Sequence, residues 1–156
     1  MQFDWLIIDG YNLLYKDREL AGLLSTDADA ARHRLIRMIE PAARELATRI
    51  TVVFDGKDRG TDPAVSSLNL EVVFSPASQT ADTLIERLAF GAKKPRRILV
   101  VTSDYSEERT VSSVGAQVMS AEAFWARCRV TESRSGISPS RRPANPAPKL
   151  GDFFPE

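Results

Sequence analysis

Five short apolar runs, rich in β-branched residues, restrict what this chain can fold into: Trp5 to Ile8, Ile50 to Phe54, Leu70 to Phe74, Ile98 to Val101 and Gln117 to Met119. They are mostly continuous rather than alternating, the pattern of strands covered on both faces. Helical patterns separate them. Ser25 or Thr26 can cap a helix running towards Thr48, in which Ala31, Leu35, Ile39, Ala42 and Leu46 keep helical spacing and Pro41 predicts a kink or break. A second helix starts near Thr80 with Leu84, Ile85 and Leu88. Ser106 begins a third, with Glu107 and Glu108 in the first turn, where the helix dipole favours acids. A last helix follows Ser120 through Phe124, Trp125 and Cys128. Strands alternating with helices predict an α/β fold, a mostly parallel five-stranded sheet with helices on both faces. Residues 56 to 68 show little helical pattern and read as a long loop, so the crossover does not dictate the direction of the third strand.

The chain's 156 residues, 43% hydrophobic and 27% charged, suit one domain, predicted over residues 1–130. From Thr131 to Glu156 the composition turns to Ser, Arg and Pro, and such a tail is predicted to be disordered because it buries too little to offset its ordering entropy. No apolar run approaches a membrane span, and MQFDWLII lacks the basic start of a signal peptide, which together predict a cytoplasmic protein without a membrane partner. The single cysteine, Cys128, and the single histidine, His33, are too few for a thiolate or imidazole metal site. Cys128 reads as core and His33 as a solvated helix residue. Any metal here is predicted to be held by oxygen.

In a parallel sheet, ligands bind outside the carboxyl ends of the strands. The first strand ends in Asp9, the second in Asp55, and the fourth leads into Ser103 and Asp104. The third is followed by SPASQTADTLIE, which puts Asp82 in a first helical turn with Glu86 one turn on. Singly, each acid has a bland use, as a turn former or helix cap. Jointly they would repel unless a hard cation neutralised them. Mg²⁺ or Mn²⁺, one ion or two, fits oxygen ligands of this kind and suits hydrolysis of a phosphodiester. Asp9, Asp55, Asp82 and Asp104 are the candidate ligands, and Asn12 adds a neutral oxygen or amide just beyond Asp9.

Charge is distributed unevenly. Residues 1 to 126 hold 15 Lys and Arg against 18 Asp and Glu, so contact with a polyanion must be local. Lys16, Arg18, Lys57, Arg59 and Arg109 follow strands on the acidic side, and with Ser103 they are the predicted substrate contacts. Tyr11, Tyr15 and Tyr105 lie there too and could stack on unpaired bases. Lys93, Lys94, Arg96 and Arg97 precede the fourth strand and so belong to the opposite end, where a solvated helix terminus is the ordinary reading.

The motifs DGYNLL, VVFDG, VVFSPASQTADTLIE and VVTSDYSEERTVSSVGAQVMSAEAF, in that order, resemble the YacP-type branch of the NYN domains, relatives of the PIN nuclease fold. The resemblance covers about residues 3 to 128. It implies a PIN-like three-layer domain and a Mg²⁺- or Mn²⁺-dependent endoribonuclease, with Asp9, Asp82 and Asp104 at the acidic positions and Asn12 and Asp55 in support. It also implies RNA as substrate and the ribosome as a partner, on messenger RNA. A structure-specific DNA nuclease fits the same acids, and a noncatalytic RNA- or ribosome-binding module fits the same fold. A phosphatase of the haloacid dehalogenase type would need a second Asp at the position of Tyr11, and neither G-x-G-x-x-G nor a P-loop motif occurs.

Overall fold

The computed structural model describes residues 2–56 and 66–135. Its order is β1 (Phe3–Asp9), α1 (Gly10–Tyr15), α2 (Arg18–Thr26), α3 (Ala28–Leu46), β2 (Ala47–Phe54), β3 (Leu70–Phe74), α4 (Ala81–Phe90), β4 (Ile98–Val101), α5 (Tyr105–Ser113), β5 (Gln117–Met119) and α6 (Ala121–Ser135). The five strands pair in the order β3-β2-β1-β4-β5, and every pairing is parallel, β2 with β3 included. The last three apolar runs match their strands end to end, while β1 and β2 begin earlier than their runs.

The helical reading needs two changes. The segment 10–26 forms two short helices, and Asp27, not Ser25 or Thr26, caps α3 through the Ala30 amide at 3.1 Å. The Ser25 and Thr26 hydroxyls instead donate back to the Gly22 and Leu23 carbonyls, ending α2. Pro41 does not break α3, which runs unbroken from Ala28 to Leu46. A proline costs a helix interior about 3 kcal/mol. Eight buried α3 residues, from Ala31 and Arg32 to Leu46, pack on the sheet, α2 and α6 and outweigh it.

Successive strand residues send side chains to opposite faces. Leu6 and Ile8 with Val52, Phe54, Leu99 and Val101 meet the side carrying α1, α2, α3 and α6; Ile7 with Val53, Ile98 and Val100 meets α4 and α5. The result is three layers. The Trp125 indole donates to the Leu13 carbonyl at 2.9 Å, pinning α6 to α1. The helix α6 continues past the compositional change at Thr131: Thr131 is buried, and its hydroxyl bonds Glu45, which Arg134 also meets at 2.5 Å. Cys128 is buried, its thiol pushed up to about 12 by burial, and His33 is half-buried rather than fully solvated.

Both Asp-Gly pairs have a packing cause. A Cβ on Gly10 would sit 2.4 Å from the Phe54 ring, and one on Gly56 2.1 Å from the Phe74 ring. Phe54 stacks on Phe74 with ring centroids 5.7 Å apart, Tyr11 tilts against Phe54 at 4.8 Å, and the buried Arg32 guanidinium lies 5.2 Å from the Phe74 centroid. Arg32 also donates to the Tyr11 hydroxyl at 3.1 Å and pairs with Asp29. Neither glycine is there for a left-handed turn; both make room for an aromatic layer beneath the ends of β1 and β2. Gly10→Ala is accordingly expected to cost about 1–3 kcal/mol in urea-induced unfolding, because the ring it would strike is fully buried.

Candidate active site

The strand order reverses at β1. The chain leaves β1 towards β2 and β3, then crosses back over the other face through α4 to β4 and β5. The crevice between the carboxyl ends of β1 and β4 is therefore the topological switch point, where open α/β sheets bind ligands. Asp9 is the last residue of β1, Asp82 the second of α4 and Glu107 the third of α5. All three reach into that crevice, with one carboxylate oxygen from each lying within 4.8 Å of the others.

The local chemistry orients each group. Asp9 accepts from the Asn12 amide at 3.4 Å and so caps α1, which holds the carboxylate at the strand tip. Thr80 caps α4, its hydroxyl accepting from the Thr83 amide at 3.1 Å; this leaves Asp82 uncommitted to the cap. Asp104 caps α5, accepting from the Glu107 amide at 3.0 Å, while its own amide bonds the Thr102 hydroxyl at 3.1 Å. Those bonds aim the first turn of α5 at the crevice. Glu107 consequently points inward and is 1% exposed, whereas Glu108 next to it is solvated.

Glu107 is the residue the sequence reading missed. Among the described residues no amide, hydroxyl or cation donates to its carboxylate oxygens, whose neighbours are the carboxyls of Asp82 and Asp9. A buried, unsatisfied carboxylate is costly, so it needs a proton or a cation. Burial, then the neighbouring Asp82, Asp9 and Asp104, drives its pKa far up. Burial and next the Asp82 charge raise Asp9 to about 6. Glu86, one turn beyond Asp82, is also raised, by burial and then by Asp82 and Asp104. The cluster could hold a cation. All donors are hard oxygens, the set that Mg²⁺ and Mn²⁺ prefer.

The other expected site residues separate from this centre. Asp104 adds to the field at Asp9 and Glu107 and lies beside the three converging oxygens as the helix cap. Asp55 is exposed beyond β2 and contributes to none of these shifts. In register, Asp9 pairs with Val53, so Asp55 lies two residues, about 7 Å, further out along the strand direction. Asn12 is a strut, its side-chain carbonyl accepting the Ser103 amide at 2.9 Å and tying α1 to the loop after β4. Asn12→Ala is expected to leave that part-buried amide unpaired, costing about 1–3 kcal/mol in urea-induced unfolding.

The predicted substrate contacts also divide. Lys16 pairs with Glu122 at 3.0 Å, and the Ser103 hydroxyl donates to the same carboxylate at 2.7 Å while accepting from the Ala121 amide. These bonds pull the exposed Glu122 carboxyl down to about 2. Arg18 and Arg109 are exposed, Arg109 with its guanidinium 5.7 Å from the Tyr105 ring. Lys57 and Arg59 lie outside the described residues, as does the tail from residue 136. Among the described residues no helix is long and apolar enough to cross a membrane.

Three comparisons with known proteins agree. The family described as YacP-like NYN domain matches residues 6–149. An uncharacterized protein YacP of Bacillus subtilis (strain 168) is 31% identical over 133 residues, which span 84% of this chain and 78% of that protein. A crystal structure of Rae1 (YacP) from Bacillus subtilis, a tryptophan-to-leucine mutant, superposes with a TM-score of 0.68 at 30% identity, over 84% of this chain and 78% of that one. A second crystal structure of Rae1 (YacP) gives 0.65 at 29% identity, over 85% and 77%.

Proposed function

The chain belongs to the YacP-like NYN domain family, and on that premise we propose that it is a divalent-metal-dependent endoribonuclease of the cytoplasm. The observation that carries the reading is the convergence of Asp9, Asp82 and Glu107 at the switch point of a nuclease-type fold. Glu107 supports catalysis over mere binding. A module that only held RNA would gain nothing from a buried carboxylate with no donor facing a polyanion. A cation requires one.

Asp9, Asp82 and Glu107 would hold Mg²⁺ or Mn²⁺. Such an ion would supply Lewis-acid stabilisation of charge developing on the phosphodiester and would make a water beside it more acidic than bulk water. The protein's own groups do the rest. Asp104 has one carboxylate oxygen held by the Glu107 amide, and its other oxygen is left to accept a proton from the attacking water. The exposed Arg18 and Arg109 flank the edge as phosphate contacts, and exposed Tyr15 and Tyr105 offer faces for unpaired bases. The family resemblance extends the reading to messenger RNA at the ribosome.

The test is cleavage of a mixed-sequence single-stranded RNA, and of DNA of the same sequence, in Mn²⁺, Mg²⁺ and EDTA. Internal cleavage of RNA that requires metal supports the reading. Cleavage of DNA alone, or equal cleavage in EDTA, overturns it.

A further inference from the structure

The helix α4 joins two ends of the molecule. Its first turn delivers Asp82 to the acidic crevice, and its last turn leads into GAKKPRR at the opposite edge of the sheet. Ten residues at 1.5 Å each place these ends about 15 Å apart along the helix.

The far end is cationic to an unusual degree. Between Arg87 and Ser103 the sequence holds Arg87, Lys93, Lys94, Arg96 and Arg97 and no acid, in a chain whose net charge is zero. Arg97 is neutralised by Asp4 at 2.9 Å. Arg87, Lys93, Lys94 and Arg96 are exposed, and among the described residues no carboxylate lies within ion-pair distance of them. Phe90 lies between Arg87 and Lys93 in the chain and is 73% exposed. A solvated helix end accounts for the cations and leaves the phenyl ring without a purpose. Phosphates with an intervening unpaired base account for both, since single strands are bound by cations tracking the backbone and an aromatic face under a base.

We propose that this end of α4 is a second contact for the substrate RNA, with phosphates on Arg87, Lys93, Lys94 and Arg96 and a base stacked on Phe90, one strand running from there to the acidic crevice. The proposal rests on the nuclease reading for the identity of its ligand. Its role is to raise the local concentration of strand at an edge that the carboxylates otherwise make repellent.

The experiment is anisotropy of a fluorescent single-stranded RNA of about 20 nucleotides in EDTA, across a salt series, with the full chain. Each phosphate neutralised on a single strand adds about 0.7 to the slope of log affinity against log salt. The triple variant Lys93→Ala/Lys94→Ala/Arg96→Ala is expected to lose about 2 of that slope, and Phe90→Ala to bind about tenfold more weakly. Replacement of both lysines by arginine should restore the slope. In Mn²⁺ the triple variant is expected to raise KM for the same RNA and leave kcat unchanged. An unchanged slope and affinity in the triple variant overturns the proposal, and so does loss of binding to anionic phospholipid vesicles with RNA binding intact. If the wild-type protein cleaves nothing, the nuclease reading fails, while the EDTA titration still decides the contact.

Discussion

Asp82→Asn is expected to abolish metal-dependent cleavage of single-stranded RNA, a fall of about a thousandfold or more, with the fold unchanged. The asymmetry comes from what Asp82 does and does not touch. Thr80, not Asp82, caps α4, so the helix keeps its start. The change removes one first-turn charge from the dipole, worth at most about 1 kcal/mol, and in compensation relieves repulsion at Asp9 and Glu107. The amide is isosteric with the carboxylate but carries no charge, so the cation would lose one of its three anionic ligands. Circular dichroism and the melting temperature should match the wild type while the cleavage assay reads near zero. Full activity in this variant would remove the site.

Glu107→Gln is expected to raise the melting temperature of the metal-free protein at neutral pH by about 5 °C and to erase the stabilisation by Mn²⁺. A carboxyl whose pKa is raised on folding binds its proton more tightly in the native state. Its contribution is fully present below the unfolded pKa, about 4, and is lost as pH rises through the folded value. For Asp9 that window ends near pH 6; Glu107, raised further, extends it across neutrality. In EDTA the wild-type protein should therefore lose stability between about pH 4 and pH 7, and Glu107→Gln should flatten the profile. Millimolar Mn²⁺ is expected to restore stability to the wild type by relieving the repulsion among Asp9, Asp82 and Glu107, and to do much less in the variant, where one of the three charges is gone. A variant that melts with the same Mn²⁺ shift as the wild type would take Glu107 out of the ligand set.

These two expectations draw on residues of different legibility. Asp82 was readable because TADTLIE follows an apolar strand and carries its own cap, so its place at a helix start depends only on neighbours in the chain. Glu107 was not. In YSEER, two adjacent glutamates have identical local reasons to be there, since the dipole favours both. The signal available was the apolar stripe of α5: Glu107, Val111 and Val114 keep i, i+4, i+7 spacing, whereas Glu108 at that spacing meets Ser112 and Gly115. Asp55 shows the converse. It ends an apolar strand as Asp9 does, but register carries it past the rim of the crevice.

Pro41 shows the same division in the fold. Its local preference is to break a helix, and the buried face of α3 overrides it. What the sequence alone determined is therefore whatever short-range physics decides: five strands, the longer helices between them, and acids at the strand ends. Which acids meet was decided by tertiary structure. The strand order brings α4 and α5 together over β1, and a carboxylate's burial and repulsion depend on distances between segments that the chain order does not encode.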